Sequence, residues 1–539
     1  MVDTPSESAR ESQFVSWQLG NLSTELLQHI FGYFCLHCRG ALKEPHWAEP
    51  ESKPEPSAHE SSYLDLCHTL FQLCLVSRRL RNVAQPIMYH QFLLGYSDSK
   101  IPPKKYSRDR RLTSFIRTVS LRRDLAVLVK TVYFHHTIMF HIQLDDARSA
   151  YEHAADVMNT TLPEIWERQN ADLEKRRHSQ ANPQREREFQ ADATKLWLSL
   201  TYQFLQRFLL GTNDDEDRRT LAHPRAAPSN RLQYWKIIAN ELLTVLIAVL
   251  PNLENLISNW ESGIAGFSPA TMRALGVTTL PLKRLEKMPH SMKWILPFTP
   301  GLETLTCNDL EPLSVPLQLK TLGFVVGNLR KEVLERSVAM CGDVLSVFAY
   351  EAASRHQSVD HSIGKLVQPC EVVEALGKFR ATLTSFHLDL RFGTRQDMDT
   401  IMQPMPSLKE FTMLKELFIT TNSVYNSNSL EEADGQSLVD LLPPGVVSLA
   451  LVDPEFPSSK RLQTGLRGLA DFKKRNMGQF TQLRRVRCDN KPVFEESCIK
   501  DMFSEVGIDL TYDEFPRYSW QYETKPHDLP AHMVLPVAT

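Results

Sequence analysis

Seven times between residues 302 and 488 the chain repeats one short phrase: an apolar residue, two others, an apolar residue, one other, and another apolar residue. The copies are Leu302/Leu305/Cys307, Leu319/Leu322/Phe324, Leu345/Phe348/Tyr350, Leu383/Phe386/Leu388, Leu414/Leu417/Ile419, Val446/Leu449/Leu451 and Leu483/Val486/Cys488. A weaker copy, Leu253/Leu256/Ser258, precedes them. The last two positions of each phrase are two apart, so on a short strand they point to the same face. Between copies lie stretches with helical or irregular character, such as Val372 to Phe379, Gln436 to Leu442 and Leu462 to Phe472. One strand with one return segment cannot hide its apolar face alone. Stacked units can, and they make a continuous core.

The N-terminal part has a different rhythm. Residues 22–34 read LSTELLQHIFGYF, where Ser23 or Thr24 can accept from the free amides of a helix start and Glu25 suits its positive end. Leu26, Leu27, Ile30, Phe31 and Phe34 follow at helical spacing as one broad apolar stripe. Residues 43–62, KEPHWAEPESKPEPSAHESS, interrupt the pattern and hold too little apolar material to offset the entropy of ordering, which predicts a flexible loop. Residues 66–85 resume with a second helix through Leu66, Leu70, Leu73 and Cys74. Ser77 is placed to cap a third helix carrying Leu80, Val83 and Ala84, with Pro86 expected to end it. A unit this small has more apolar surface than it can hide. Leu22, Leu26, Ile30, Leu75 and Val76 are expected to stay partly exposed unless a partner covers them.

A chain of 539 residues exceeds what one core usually supports, so several units are expected. The boundaries fall as a polar tail at 1–16, a helical unit at 17–95, and a link with a first strand at 96–145, built on the apolar run Val129 to Phe134. A helical insertion with loops follows at 146–230, the repeat region at 231–515 and a tail at 516–539. Asp172 to Glu188 mixes both signs of charge, as an exposed helix or linker does, and Pro224 and Pro228 mark 222–230 as loop-like. The longest apolar run, Leu242 to Leu250, is too short to cross a bilayer and reads as a buried helix. The polar N-terminus carries no secretory signal, so the nine cysteines are expected to be reduced and the location cytoplasmic or nuclear. A net charge of −3 gives no electrostatic reason to expect nucleic acid or a membrane as partner.

Candidate chemical sites are few. Cys35, His37, Cys38 and His46 lie close together, with Cys67 and His68 further on, and such donors can hold zinc. Their spacing matches no common zinc module, and the expectation is a reduced helix end without metal. His135 and His136 are adjacent, so on a strand they point to opposite faces and make poor paired ligands. Between Lys104 and Arg123 eight basic residues face one acid, Asp109. That stretch is able to receive an acidic or phosphorylated motif, but a solvated link is the expectation. Walker, Gly-x-Ser-x-Gly, His-Glu-x-x-His and dinucleotide motifs are missing from the sequence, and catalysis by this chain is not expected.

The leucine, the Glu-Leu-Leu, the Ile-Phe and the later Leu-Val-Ser-Arg-Arg with a downstream Ala-x-Pro stand in the order of an F-box, and the following repeats resemble leucine-rich repeats. The chain thus resembles F-box proteins of filamentous fungi with degenerate leucine-rich repeats. It departs from them in three ways: Ser23 stands where the family has proline, the first two helices are separated by an insert, and the asparagine that ends a repeat strand is missing. The resemblance implies an α/β protein, with a small three-helix F-box followed by an irregular leucine-rich-repeat-like solenoid with a helical insertion. It further implies no cofactor, and a Skp adaptor docked on Leu22, Leu26, Leu27, Ile30, Phe31, Leu73, Leu75 and Val76. Through that adaptor comes a cullin, while the repeats hold a protein substrate for ubiquitination. The alternative is an F-box scaffold that binds proteins without directing ubiquitination.

Overall fold

The computed structural model describes residues 22–40, 62–94, 110–135, 142–180, 206, 228–259, 268–288, 290–307, 316–327, 329–352, 367–391, 403–425, 434–453, 459–491, 493, 497–513 and 515. The polar tails, the insert up to residue 61, His46, His136 and the basic residues before Arg110 lie outside the described residues.

Helices α1 (Thr24–Gly32), α2 (Leu36–Arg39), α3 (Ser62–Val76) and α4 (Arg78–Met88) open the fold. Ser23 Oγ accepts from the Leu26 amide at 3.3 Å and Ser77 Oγ from the Leu80 amide at 3.2 Å, so both helix starts are capped by their serines. Pro86 does not stop α4, which runs two residues further. In the last turn its ring costs one backbone bond, and the Tyr89 amide still closes the helix onto Gln85 and Pro86 carbonyls.

Among the described residues twelve parallel strands follow: β1 (Gln91–Leu94), β2 (Thr131–His135), β3 (Asn255–Asn259), β4 (Arg284–Met288), β5 (Thr304–Cys307), β6 (Thr321–Gly327), β7 (Val347–Ala352), β8 (Ser385–Asp389), β9 (Glu416–Thr420), β10 (Ser448–Val452), β11 (Arg485–Cys488) and β12 (Asp509–Tyr512). They form one open sheet in sequence order, each strand paired with its predecessor and successor. Parallel neighbours need a crossover, and helices or turns on one face supply it. The middle position of every repeated phrase stacks in register: Leu305 on Leu322, then Phe348, Phe386, Leu417, Leu449, Val486 and Leu510. All of these belong to one buried core.

Backbone bonding at the strand entries is equally regular. The His90 carbonyl accepts from Lys130 and Thr131, Lys130 from Glu254 and Asn255, and Glu254 from Lys283 and Arg284; the relay continues unit by unit to Arg484 and Asp509. Charged side chains in this row pair along it, Glu254 taking both Lys130 at 3.0 Å and Lys283 at 3.1 Å.

Between β1 and β2 stand α5 (Arg111–Leu121) and α6 (Arg123–Ala126), and between β2 and β3 come α7 (Leu144–Val157), α8 (Leu162–Gln180) and the helix Pro228–Val249. Where a solvated link was expected, α5 buries Leu112, Ile116 and Val119 on one face, because these recur at helical spacing between the arginines. Pro228 likewise opens a helix rather than lying in a loop, at a first position where its missing amide costs nothing. Glu241, Tyr151, Gln169 and Thr271 join in one buried hydrogen-bonded knot, with Tyr151 and Thr271 donating to Glu241 at 3.0 and 2.9 Å. Among the described residues no helix is long and apolar enough to cross a membrane.

Leu417 is 2% exposed in the middle of the ladder. Leu417→Ala is expected to open a cavity and cost about 2–5 kcal/mol in chemical denaturation. A loss under about 0.5 kcal/mol, the range of surface changes, would contradict its place in a shared core.

Candidate functional site

Three places on this frame carry unassigned chemistry. The first is the N-terminal helical unit. Its own core is closed by Leu27, Phe31, Leu70, Cys74, Leu80, Val83, Ala84 and Ile87. Leu22, Ile30 and Leu73 are partly buried against that core. Leu26, Phe71, Leu75 and Val76 remain 53%, 48%, 58% and 69% exposed. Phe71 and Leu75 are one turn apart on α3 and share a face, as Leu26 and Ile30 do on α1. Leu27 and Phe31, which the F-box resemblance implies at a docking surface, are interior: they hold the helices together while Leu26 faces outward. An apolar stripe cannot tell from spacing alone which of its members closes the unit's own core.

The second place is the face of the sheet turned away from the leucine core. Over β1 to β3 it is covered, because Leu36 of α2 packs on Leu93, Tyr133 and Ile257 with Cys67 of α3 alongside. Further along it becomes polar. His387 lies 3.3 Å from Glu351, and Arg391 grips Asp389 through two nitrogens. Burial pushes the Asp389 carboxyl up, but the Arg391 charge and hydrogen bonds outweigh it and hold the group below the ordinary carboxylate range. Over β8 to β11 a cavity of about 370 Å³ opens, lined by Ser385, His387, Glu416, Phe418, Arg485 and Arg487 among others. His387 stacks on Phe418 with ring centres 3.9 Å apart, forming its floor. Arg484 also lines it, so three arginines and one glutamate, Glu416, border the cavity, with Arg487 lying 3.8 Å from Asp513.

Just past the strand ends runs a side-chain ladder. The Thr420 hydroxyl accepts from the Leu390 amide at 2.7 Å, Thr421 donates to Asp453 at 2.9 Å, and Asp489 accepts from the Asp453 amide at 2.7 Å. Thr420 and Asp489 thus bond their side chains to the backbone of the preceding unit, and Thr421 and Asp453 join two units through side chains alone.

The third place is the thiol–imidazole cluster. Cys35 directly precedes α2 and His37 and Cys38 sit on it, while His90 follows α4 directly before β1. The ligand atoms of Cys35, His37, Cys38 and His90 all lie within 4.8 Å of one another. Cys38 Sγ stands 3.2 Å from His90 Nδ1 and 4.0 Å from His37 Nδ1. The two thiols share a hydrogen bond, which makes Cys38 the acidic member of the pair and leaves the proton on the more buried Cys35. Both histidines add to the pull on Cys38. His90, fifty-two residues away, carries no local sequence signal; only the fold brings it in. Cys67 packs instead among the apolar residues beside Leu36. His68 pairs with Gln72 at 3.0 Å, one turn along α3. His135 ends β2, as its position in the apolar run suggests.

No family model matches the chain, and a comparison with curated proteins returns no significant match.

Asp489 yields a test of the ladder by pH. Burial, the largest influence, pushes its carboxyl up to about 7, against the Asp453 amide and the Arg391 charge, which pull it down. A raised folded-state value means stability that is complete at acid pH and lost as pH rises from the ordinary carboxylate range, about 4, through about 7. Asp489→Asn keeps the oxygen that accepts from Asp453 and removes the titration. Thermal unfolding of this variant should lose that part of the pH dependence. An unchanged slope would mean the carboxyl is not held as described.

Proposed function

We propose that the chain is the substrate-recognition adaptor of a Skp–cullin–F-box ubiquitin ligase. In this reading α1, α3 and α4 are the F-box, and the parallel sheet with its return segments is a degenerate leucine-rich-repeat solenoid. The observation that carries the reading is the uncovered row Leu26, Phe71, Leu75 and Val76 on helices whose own core is already closed. Large apolar side chains gathered on a small helical unit mark a place for a partner. The order of F-box residues in the sequence supplies its identity, the Skp adaptor, and through that a cullin.

The substrate belongs on the open part of the sheet. Strand-by-strand stacking gives a rigid surface whose outward side chains are free to vary without disturbing the core. The cavity over β8 to β11 favours an acidic or phosphorylated segment, because arginine pairs with carboxylate and phosphate through parallel hydrogen bonds. Ubiquitin transfer then follows from proximity: a substrate lysine held near a charged conjugating enzyme experiences a high effective concentration, and this chain performs no bond chemistry.

Leu75→Asp with Val76→Asp tests the docking face. Both side chains point to solvent in the free protein, so the variant should fold normally. Unpaired carboxylates in an apolar interface should weaken association with the purified adaptor about a hundredfold or more, as read by calorimetry. Binding equal to wild type, or no association of the wild-type full chain at micromolar concentration, removes the proposal. For the cavity, Arg484→Glu with Arg485→Glu should abolish salt-sensitive binding of acidic and phosphorylated peptides while adaptor binding is unchanged. A peptide array showing no preference for acidic sequences would place substrate elsewhere.

A further inference from the structure

We propose that Cys35, His37, Cys38 and His90 form a structural zinc site that fastens the N-terminal helices to the first strand of the sheet. The inference stands on geometry and donor chemistry, and it is independent of what the helices or the sheet bind. Two sulfurs and two imidazole nitrogens drawn from two separate stretches of chain converge within 4.8 Å. Zinc–sulfur bonds of about 2.3 Å and zinc–nitrogen bonds of about 2.0–2.1 Å in a tetrahedron put ligand atoms about 3.3–3.8 Å apart. The 3.2 Å separation of Cys38 Sγ and His90 Nδ1 lies just under that range. The widest edges need to close by only about 1 Å.

The donor set selects the metal class. Two thiolates with two imidazoles suit a borderline-soft cation in tetrahedral coordination, and four protein ligands leave no open position for catalysis. Zinc is held by thiolate sulfur, so binding would displace the thiol protons to solvent. No oxidant or reductant is involved.

The backbone around the cluster is built to present these ligands. Cys35 sits at the extended start of α2, and Gly40 ends that helix in the left-handed conformation at φ 69°, so Cys35 and Cys38 bracket a single tight turn. On the other side the His90 carbonyl is the first member of the relay, accepting from Lys130 at 2.8 Å and Thr131 at 3.1 Å. The His37 amide donates to the Gln91 side chain at 3.2 Å, tying the two stretches beside the cluster. A metal here would cap the end of a stack whose first strand has a neighbour on one side only. Terminal units of stacked folds need such a cap, because their outer face lacks the next repeat.

Metal content of the full chain, expressed with zinc and purified under reducing conditions, decides the matter. About one zinc per chain should survive gel filtration. Cobalt exchanged into the site should give thiolate-to-metal charge-transfer bands and the intense visible bands of tetrahedral coordination. Cys38→Ser and His90→Ala should each lose stoichiometric metal, while Cys498→Ser, which alters an exposed thiol far along the chain, should keep it. Circular dichroism checks that the variants fold. For the wild type a strong chelator should lower the unfolding temperature without any substitution. Three results overturn the proposal: a wild-type chain without stoichiometric metal and without cobalt charge transfer, metal retained unchanged by both site variants, or a Cys35–Cys38 disulfide in the reduced preparation.

Discussion

The structure depends on register. Each strand entry from β2 to β11 donates two amides to one carbonyl of the unit before it, and each middle apolar residue from Leu305 onward lies on its counterpart in the next strand. A slip of one residue in any unit would turn its apolar positions to the opposite face and break both series together. Because pairing is set at the entries, what happens between strands is nearly free. The long excursion through α7, α8 and the helix Pro228–Val249 leaves Thr131 opposite Asn255 and Val132 opposite Leu256. Loop length costs little when the closing contacts are this repetitive.

The same alternation that buries the ladder separates it from function. One face of every strand is committed to the core, and the other is available for something else. Over β1 to β3 that face is taken by Leu36 and Cys67 from the helices, which joins the N-terminal unit to the sheet. Over β7 and β8 it is filled by the Glu351–His387 and Asp389–Arg391 pairs. From β8 to β11 it opens into the cavity bordered by Arg484, Arg485 and Arg487. Helices at one end and a basic hollow toward the other thus divide the chain into two surfaces that share one scaffold.

How much of this was legible in the sequence depended on whether the signal was local. The phrases at Leu305, Leu322, Phe348, Phe386, Leu417, Leu449 and Val486 are strands where they were expected, since each carries all three apolar positions. Strand β4 escaped because its register shifts between Leu285 and Met288, moving the third position out of phase. Strand β12 escaped because Gly507 and Ile508 lead into it in place of the usual entry leucine, with Gly507 at φ 71°. The bonds at the strand ends run through residues of mixed type, Thr420, Thr421, Asp453 and Asp489, so no repeated letter announces them. At the N-terminal helices, spacing identified the apolar residues but not which way each one pointed. His90 was invisible for a different reason: its partners are brought to it by tertiary structure alone.

Hydrogen exchange of the full chain with and without the purified Skp adaptor tests the central claim most directly. Slowed exchange is expected in α1, α3 and the start of α4, around Leu26, Phe71, Leu75 and Val76. The peptides of β3 to β12 should exchange as in the free protein, their surface still open for a substrate. Protection falling on the arginine-lined strands, with the helices unchanged, would contradict the account.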